Sequence, residues 1–351
     1  MYYKIAKLYD KEGLEISEKY YTLAIKLFAK FVKLKQERYN IPLANCCNGI
    51  GNVYYNHGKP EKSIGFYSLA KDIYTILAKD NPRDYNMHLS VTNNNIALAY
   101  METKDYENAK RYFAIAIEFG EKSINEDFEN YGVLLARSYN RFGDLYFDTD
   151  EYEKARKSYF SSTDIMQRLA ELDFKKHGEE LAMCYDNLAN AYDYLNNPEQ
   201  EEKYYLLEIN VYESLVIINP SKYRLSLAHS YNNIGNTYSQ NEDYENAEKY
   251  TLLAIKEYEY LVENYPDEYE PNLALAFSNL AVVYYNNDEY KRAEEPFLLA
   301  TEIWKYLASK NWEEYAKDLK ESYENMNSLY EEMNELEKAI YYKRLADEIK
   351  I

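Results

Sequence analysis

Apolar positions between residues 227 and 270 fall on two stripes of helical spacing. Leu227, Tyr231, Ile234, Gly235 and Tyr238 recur at steps of three and four, which places them on one helix face. A polar connection follows, Asn241-Glu242-Asp243, and then Tyr244, Ala247, Tyr250, Ala254, Ile255 and Tyr258 form a second stripe. A carboxylate or amide in the connection can cap the second helix. Asn264-Tyr265-Pro266 marks its end, with Pro recurring at Pro82, Pro220 and Pro266, because proline cannot continue a helix.

The same pair of stripes returns every 46 residues. Tyr54, Tyr100, Tyr146, Tyr192, Tyr238, Tyr284 and Tyr330 hold the period without insertion, as do Leu43, Leu89, Leu135, Leu181, Leu227, Leu273 and Leu319. A fixed period in the range of roughly 20–50 residues is the mark of stacked supersecondary units. The expected fold is therefore all-α, one α-solenoid over residues 1–351. Its units run at about 1–38 (partial), 39–84, 85–130, 131–176, 177–222, 223–268, 269–314 and 315–351. Two columns are small: Gly51, Ala97, Gly143, Ala189, Gly235 and Ala281 on the first helix, and Ala109, Ala155, Ala247, Ala293 and Ala339 on the second. Small side chains let paired helices approach closely.

The pattern Leu-x6-Gly/Ala-x2-Tyr-x8-Ala-x6-Ala resembles the tetratricopeptide repeat. The wording Asn-Asn-Ile-Gly and Tyr-Glu-Asn-Ala-Glu-Lys-Tyr is nearest to its kinesin-light-chain-like branch. The resemblance implies helix-turn-helix units stacked into a right-handed solenoid whose first helices line a concave surface. A period of 46 against the usual 34 implies longer helices, with the second helix as the expected site of the extension.

Irregular units qualify the rule. In the first, Ser17 and Ala24 occupy the second-helix columns and Met1 to Leu8 is a partial first helix. Either Met1 begins a fragment of something longer, or that uncapped end docks on a partner. The unit around Tyr192 places Glu201 and Glu208 in both small columns. An uncompensated buried charge costs several kcal/mol, so the helix shifts outward or the acids find partners. A hinge at this junction and simple tilting toward solvent are both open. Pro296 sits inside a second helix, where it should kink it or remove one hydrogen bond. Asn327 with Glu321, Glu324, Glu331 and Glu332 reads as a polar terminal cap.

Composition narrows the chemistry. The 60 acidic against 41 basic residues give a formal charge of −19, which opposes nucleic acid and anionic membranes and favours a basic or neutral partner. Cys46, Cys47 and Cys184 form no disulfide or zinc pattern and suit the cytoplasm. Neither a signal core nor a membrane-length apolar run is evident. His57, His88, His177 and His229 lie in separate units without ligand spacing, so no metal or cofactor is expected. No nucleophile or phosphate-loop motif occurs, and the chain reads as non-enzymatic.

An asparagine ladder is the strongest constellation. Asn48, Asn52, Asn94, Asn140, Asn187, Asn190, Asn232, Asn233, Asn236 and Asn279 recur on one first-helix face, beside Asn45, Asn95, Asp144 and Asp186. Asparagine is a poor mid-helix residue, so the repetition calls for a reason. Amides donate and accept, and can pair with a peptide backbone whatever its sequence. Alternatively, they bond neighbouring helices across repeat junctions. Val91, Leu98 and Met101, and then Leu275, Val282 and Tyr285, interrupt the ladder as candidate apolar anchors. Arg137 and Arg141 are the main bases there, so no basic carboxylate clamp is evident. The expected function is a protein- or peptide-binding scaffold with an asparagine-lined groove. The alternatives are a sensor or regulatory module of a larger assembly, or self-association through the N-terminal unit.

Overall fold

The computed structural model describes residues 14–350. Among these residues there are fifteen α-helices and no strand. Contacts divide the chain into two units, up to Phe174 and from Lys175. The first holds α1 (Leu14–Lys33), a short 3-10 turn (Glu37–Tyr39), α2 (Asn40–Asn56), α3 (Pro60–Asp80), α4 (Pro82–Glu102), α5 (Tyr106–Ser123), α6 (Phe128–Asp148) and α7 (Tyr152–Leu172). The second holds α8 (Phe174–Tyr194), α9 (Pro198–Ile218), α10 (Pro220–Gln240), α11 (Tyr244–Asn264), α12 (Pro266–Asn286), α13 (Tyr290–Lys310), α14 (Trp312–Glu332) and α15 (Leu336–Glu348). The partial helix expected at Met1 to Leu8 lies outside the described residues.

Each turn within a pair is built the same way. The amides of Lys59, Asp105, Glu151, Asn197, Asp243, Glu289 and Glu335 donate back to the carbonyls of the tyrosine column, Tyr54 through Tyr330, at 2.8–3.0 Å. The residue before each of these amides has positive φ: Gly58, Lys104, Asp150, Asn196, Glu242, Asp288 and Asn334. This is a Schellman closure, which satisfies the last carbonyls of the first helix. Asp105, Asn197 and Asp243 then cap the second helix by accepting from the amides of Asn108, Gln200 and Asn246. The tyrosine column is thus both a core stripe and the anchor of the turn.

At several junctions between pairs the chain turns on a single non-helical residue. Asn81 does this in the first unit, and Asn219, Tyr265 and Asn311 in the second. The recurring prolines are therefore the first residues of the following helices: Pro82, Pro220 and Pro266 each open one. A first-turn proline forfeits no helical hydrogen bond, and its fixed φ suits the start. Helices accordingly begin about three residues before the boundaries read from the stripes. The extension is also shared, since α10 and α11 both have 21 residues, and the expectation of a longer second helix alone is corrected. Helix α13 runs through Pro296, which is buried, without interruption.

The core is a stack of small clusters. Ala97, Ala109, Phe113 and Leu145 form one of them, with Leu98 and Met101 packed against it. Stacked ring pairs join first to second helices at a constant step of twelve, as in Tyr54–Phe66, Tyr100–Tyr112, Tyr238–Tyr250 and Tyr330–Tyr342. In the second unit the tyrosine hydroxyls reach back one repeat. Tyr238 donates to Glu202 (2.8 Å), Tyr284 to Glu248 (3.0 Å) and Tyr330 to Glu294 (2.7 Å). These buried or half-buried hydroxyls find partners, as a packed tyrosine must.

Candidate functional site

The asparagine positions divide by what their amides touch. Asn52 Oδ1 accepts from the Tyr67 hydroxyl at 2.7 Å and from Asn95 Nδ2 at 3.4 Å. Asn45 accepts from Tyr74 (2.6 Å), and Asn48 donates to Thr92 (3.0 Å). In the second unit Asn190 accepts from Tyr205 (3.1 Å), and Asn279 donates to Asn232 (2.9 Å). Asn140 and Asn187 are half-buried and also engaged. Asn94 is half-buried, with its carbonyl oxygen lacking a donor. Much of the ladder therefore knits one helix to the next.

Asn233 and Asn236 are different. Both are half-buried on α10, and neither side-chain amide makes a hydrogen bond among the described residues. They line a cleft of about 160 Å³ with Asn190 and Asp193 from α8, Glu201 and Tyr205 from α9, and Thr237 and Gln240 from α10. The lining is almost wholly polar, with two carboxylates, no cation and several amides.

Glu201, which lines the cleft, and Glu208, two turns further along α9, occupy columns that are small in other repeats. Both are buried, 6% and 5% exposed, so of the outcomes left open by the sequence, tilting toward solvent is not what occurs. Their partners are hydroxyls on the next helix. Thr237 donates to Glu201 Oε1 and Ser230 to Glu208 Oε1, each at 2.6 Å. Burial, with Asp186 beside it, pushes the Glu208 carboxyl up to about 8. Glu201 is also raised, by burial and by the like charge of Asp193, while the Thr237 hydrogen bond opposes. Asp186 is raised by burial, with Asn190 opposing. A carboxylate starved of water and set among like charges favours its neutral form, or a cation.

Asp193, Thr237 and Gln240 were not marked by the stripes. Thr237 was detectable by column, because its equivalents are Val53, Ala99, Leu145, Ala191, Val283 and Leu329, all apolar. A hydroxyl there answers the glutamate one helix back.

The candidate anchors also separate. Leu98 and Met101 belong to a core cluster, and Val91 is half-buried. Leu275 and Val282 are exposed, and Tyr285 meets Tyr290 edge-on. Among the described residues no group of three or more His, Cys, Asp or Glu is placed to hold a metal ion. No helix there is long and apolar enough to cross a membrane.

A tetratricopeptide repeat model matches residues 92–119, 136–159 and 228–259, and a second model of the same repeat matches 273–305. The crystal structure of BtubC (BKLC) from P. vanneervenii is similar at a TM-score of 0.52 and 21% identity, covering 71% of this chain and 92% of that one. The apo form of RapI is similar at 0.51 and 15% identity, covering 87% and 97%. A signal transduction ATPase with a tetratricopeptide repeat sensor, from Pyrococcus horikoshii, is similar at 0.57 and 18% identity. There the match covers 96% of this chain and 49% of the other. At these identities the likeness is one of fold. No curated protein matches the sequence.

Proposed function

The chain is a tetratricopeptide-repeat protein, and from that premise we propose that it is a non-catalytic scaffold that binds a protein or peptide segment. The observation that carries the reading is the pair Asn233 and Asn236, amides without a side-chain partner lining a polar cleft on first helices. A half-buried amide without a partner forgoes hydrogen bonds, and an extended backbone supplies both a donor and an acceptor. Of the engaged amides, Asn190 lines the same cleft and accepts from Tyr205, and Asn232 accepts from Asn279 on α12. Exposed Leu275 and Val282 on α12 are the apolar anchors of this reading. The charge of −19 favours a basic or neutral segment. Buried Cys46, Cys47 and Cys184 favour the cytoplasm, where thiols stay reduced.

The test is selection from a random peptide library, with each selected peptide re-measured against Asn233→Ala/Asn236→Ala. Peptides that bind the parent protein and lose about tenfold on the double variant support the cleft. An empty selection, or peptides indifferent to the double variant, overturns it.

A further inference from the structure

We propose that the α8–α9–α10 cleft is a pocket for a single cationic side chain, the guanidinium of arginine in the first instance, projecting from a bound polypeptide segment. The inference rests on the peptide-binding reading and names the chemistry that the same site selects.

The argument begins with Glu201. It stands in a column that is alanine at Ala109, Ala155, Ala247, Ala293 and Ala339, so packing alone asks for a methyl group. Glu201 is more than nine-tenths buried, and Thr237 satisfies only Oε1. The other oxygen receives no hydrogen bond among the described residues, although the residue lines the cleft. Asp193 lines the same cleft from α8 and adds a second carboxylate without a basic neighbour in the lining. Deeper along the same helices Asp186 and Glu208 add to the acidic surroundings, Ser230 of α10 donates to Glu208, and α10 lines the cleft itself with amides and one hydroxyl. Among the described residues that line the cleft, no cation faces these carboxyl groups.

An arginine head fits the donor–acceptor count. Its planar fork offers five N–H donors and no acceptor. Glu201 Oε2 and Asp193 can take the fork, while the side-chain carbonyls of Asn233 and Asn236 accept from the remaining N–H groups. An ammonium brings three donors to the same oxygens with less planar complementarity. A carboxylate ligand would face Asp193 and Glu201 directly, and is refused.

The probes are two acetylated, amidated pentapeptides with glycine at the outer positions, one with central arginine and one with central citrulline, its neutral near-isostere. Binding is followed at pH 8 by NMR through the side-chain amide signals of Asn233 and Asn236. The arginine peptide should bind at least fivefold more tightly than the citrulline peptide. Glu201→Gln and Asp193→Asn should each bring the two within twofold. Glu201→Ala places the residue type of the other repeats in this column, and keeps the test sound if the amide variant misfolds. Control substitution of the exposed pair Glu313→Gln/Glu314→Gln should leave the preference intact. Equal binding of both peptides, or a preference that survives Glu201→Gln and Glu201→Ala, overturns the inference and leaves the scaffold reading standing. Silence of both peptides overturns the inference as well, while the library selection judges the scaffold reading separately.

Discussion

The Tyr67 hydroxyl donates to Asn52 Oδ1 at 2.7 Å, fifteen residues back on the paired helix. Tyr159 repeats the bond to Asp144 (3.1 Å), and Tyr205 repeats it to Asn190 (3.1 Å). One repeat after Tyr67 the column changes to Phe113, and its counterpart is Leu98, packed on the same cluster. Ring and partner change together, because a buried hydroxyl needs an acceptor and a buried phenyl does not.

Tyr67→Phe should therefore cost about 1 kcal/mol, the usual net worth of such a bond. Adding Asn52→Leu, which copies the Phe113–Leu98 arrangement, should recover at least half of that loss. Urea denaturation midpoints of the two single variants and the double variant give the coupling. Strict additivity would show that the two columns are independent.

Gly51 lies beside the same ring. A Cβ built there would stand 2.5 Å from Tyr67 Cε1, and at Gly143 a Cβ would be equally near Tyr159. Gly51→Ala and Gly143→Ala should each destabilise by about 1–3 kcal/mol, the range for overpacking. An unchanged thermal midpoint for both would mean that the rings yield freely.

Glu242 and Lys104 hold φ of 60° and 58° in their turns, where a sister repeat uses Gly58. A side chain in the left-handed region costs about 1–2 kcal/mol, part of which glycine returns through unfolded-state entropy. Glu242→Gly and Lys104→Gly should each stabilise by about 0.5–1 kcal/mol. Asn334→Gly should gain less, since asparagine tolerates that region. Chemical denaturation in which the Asn334 variant gains most would contradict this account of the turns.

Glu208 makes stability depend on pH. Its carboxyl sits near 8 when folded against an ordinary 4.5, so the folded state holds the proton more tightly. The associated stability is fully present below about 4.5 and is lost as pH rises through 8. Between those limits the chain should weaken by a few kcal/mol, and Glu208→Gln should flatten much of the decline. The residual slope belongs to Glu201 and Asp186, which are raised in the same direction. Thermal midpoints at intervals from pH 5 to 9 provide the comparison, and parallel curves for parent and variant would refute the assignment.

Burial raises the Cys46 thiol to about 12, with Cys47 adding to the shift, and raises Cys47 to about 11. A thiolate is the reactive form, so native protein at pH 8 should react with a thiol reagent at least a hundredfold more slowly than unfolded protein. Fast native labelling would show that α2 opens readily.

The pairing of helices, their tyrosine and alanine columns and the polar turn residues were legible in the sequence as spacings of 46. They were legible because local spacing sets which side chains share a helix face. The turn residues could be found too, because Schellman closure and helix capping act within a few positions. The fate of the amides was a matter of tertiary structure. Asn52, Asn190 and Asn232 find partners 15 and 47 residues away, whereas the Asn233 side chain, one step along the same helix, finds none among the described residues. Glu201 and Glu208 stood out in the sequence as charges in alanine columns. Only the packed helices showed that Thr237 and Ser230 would meet one oxygen of each. Helical periodicity names a face, but a hydrogen bond requires two atoms within about 3 Å, and that distance is set only when neighbouring helices close on each other.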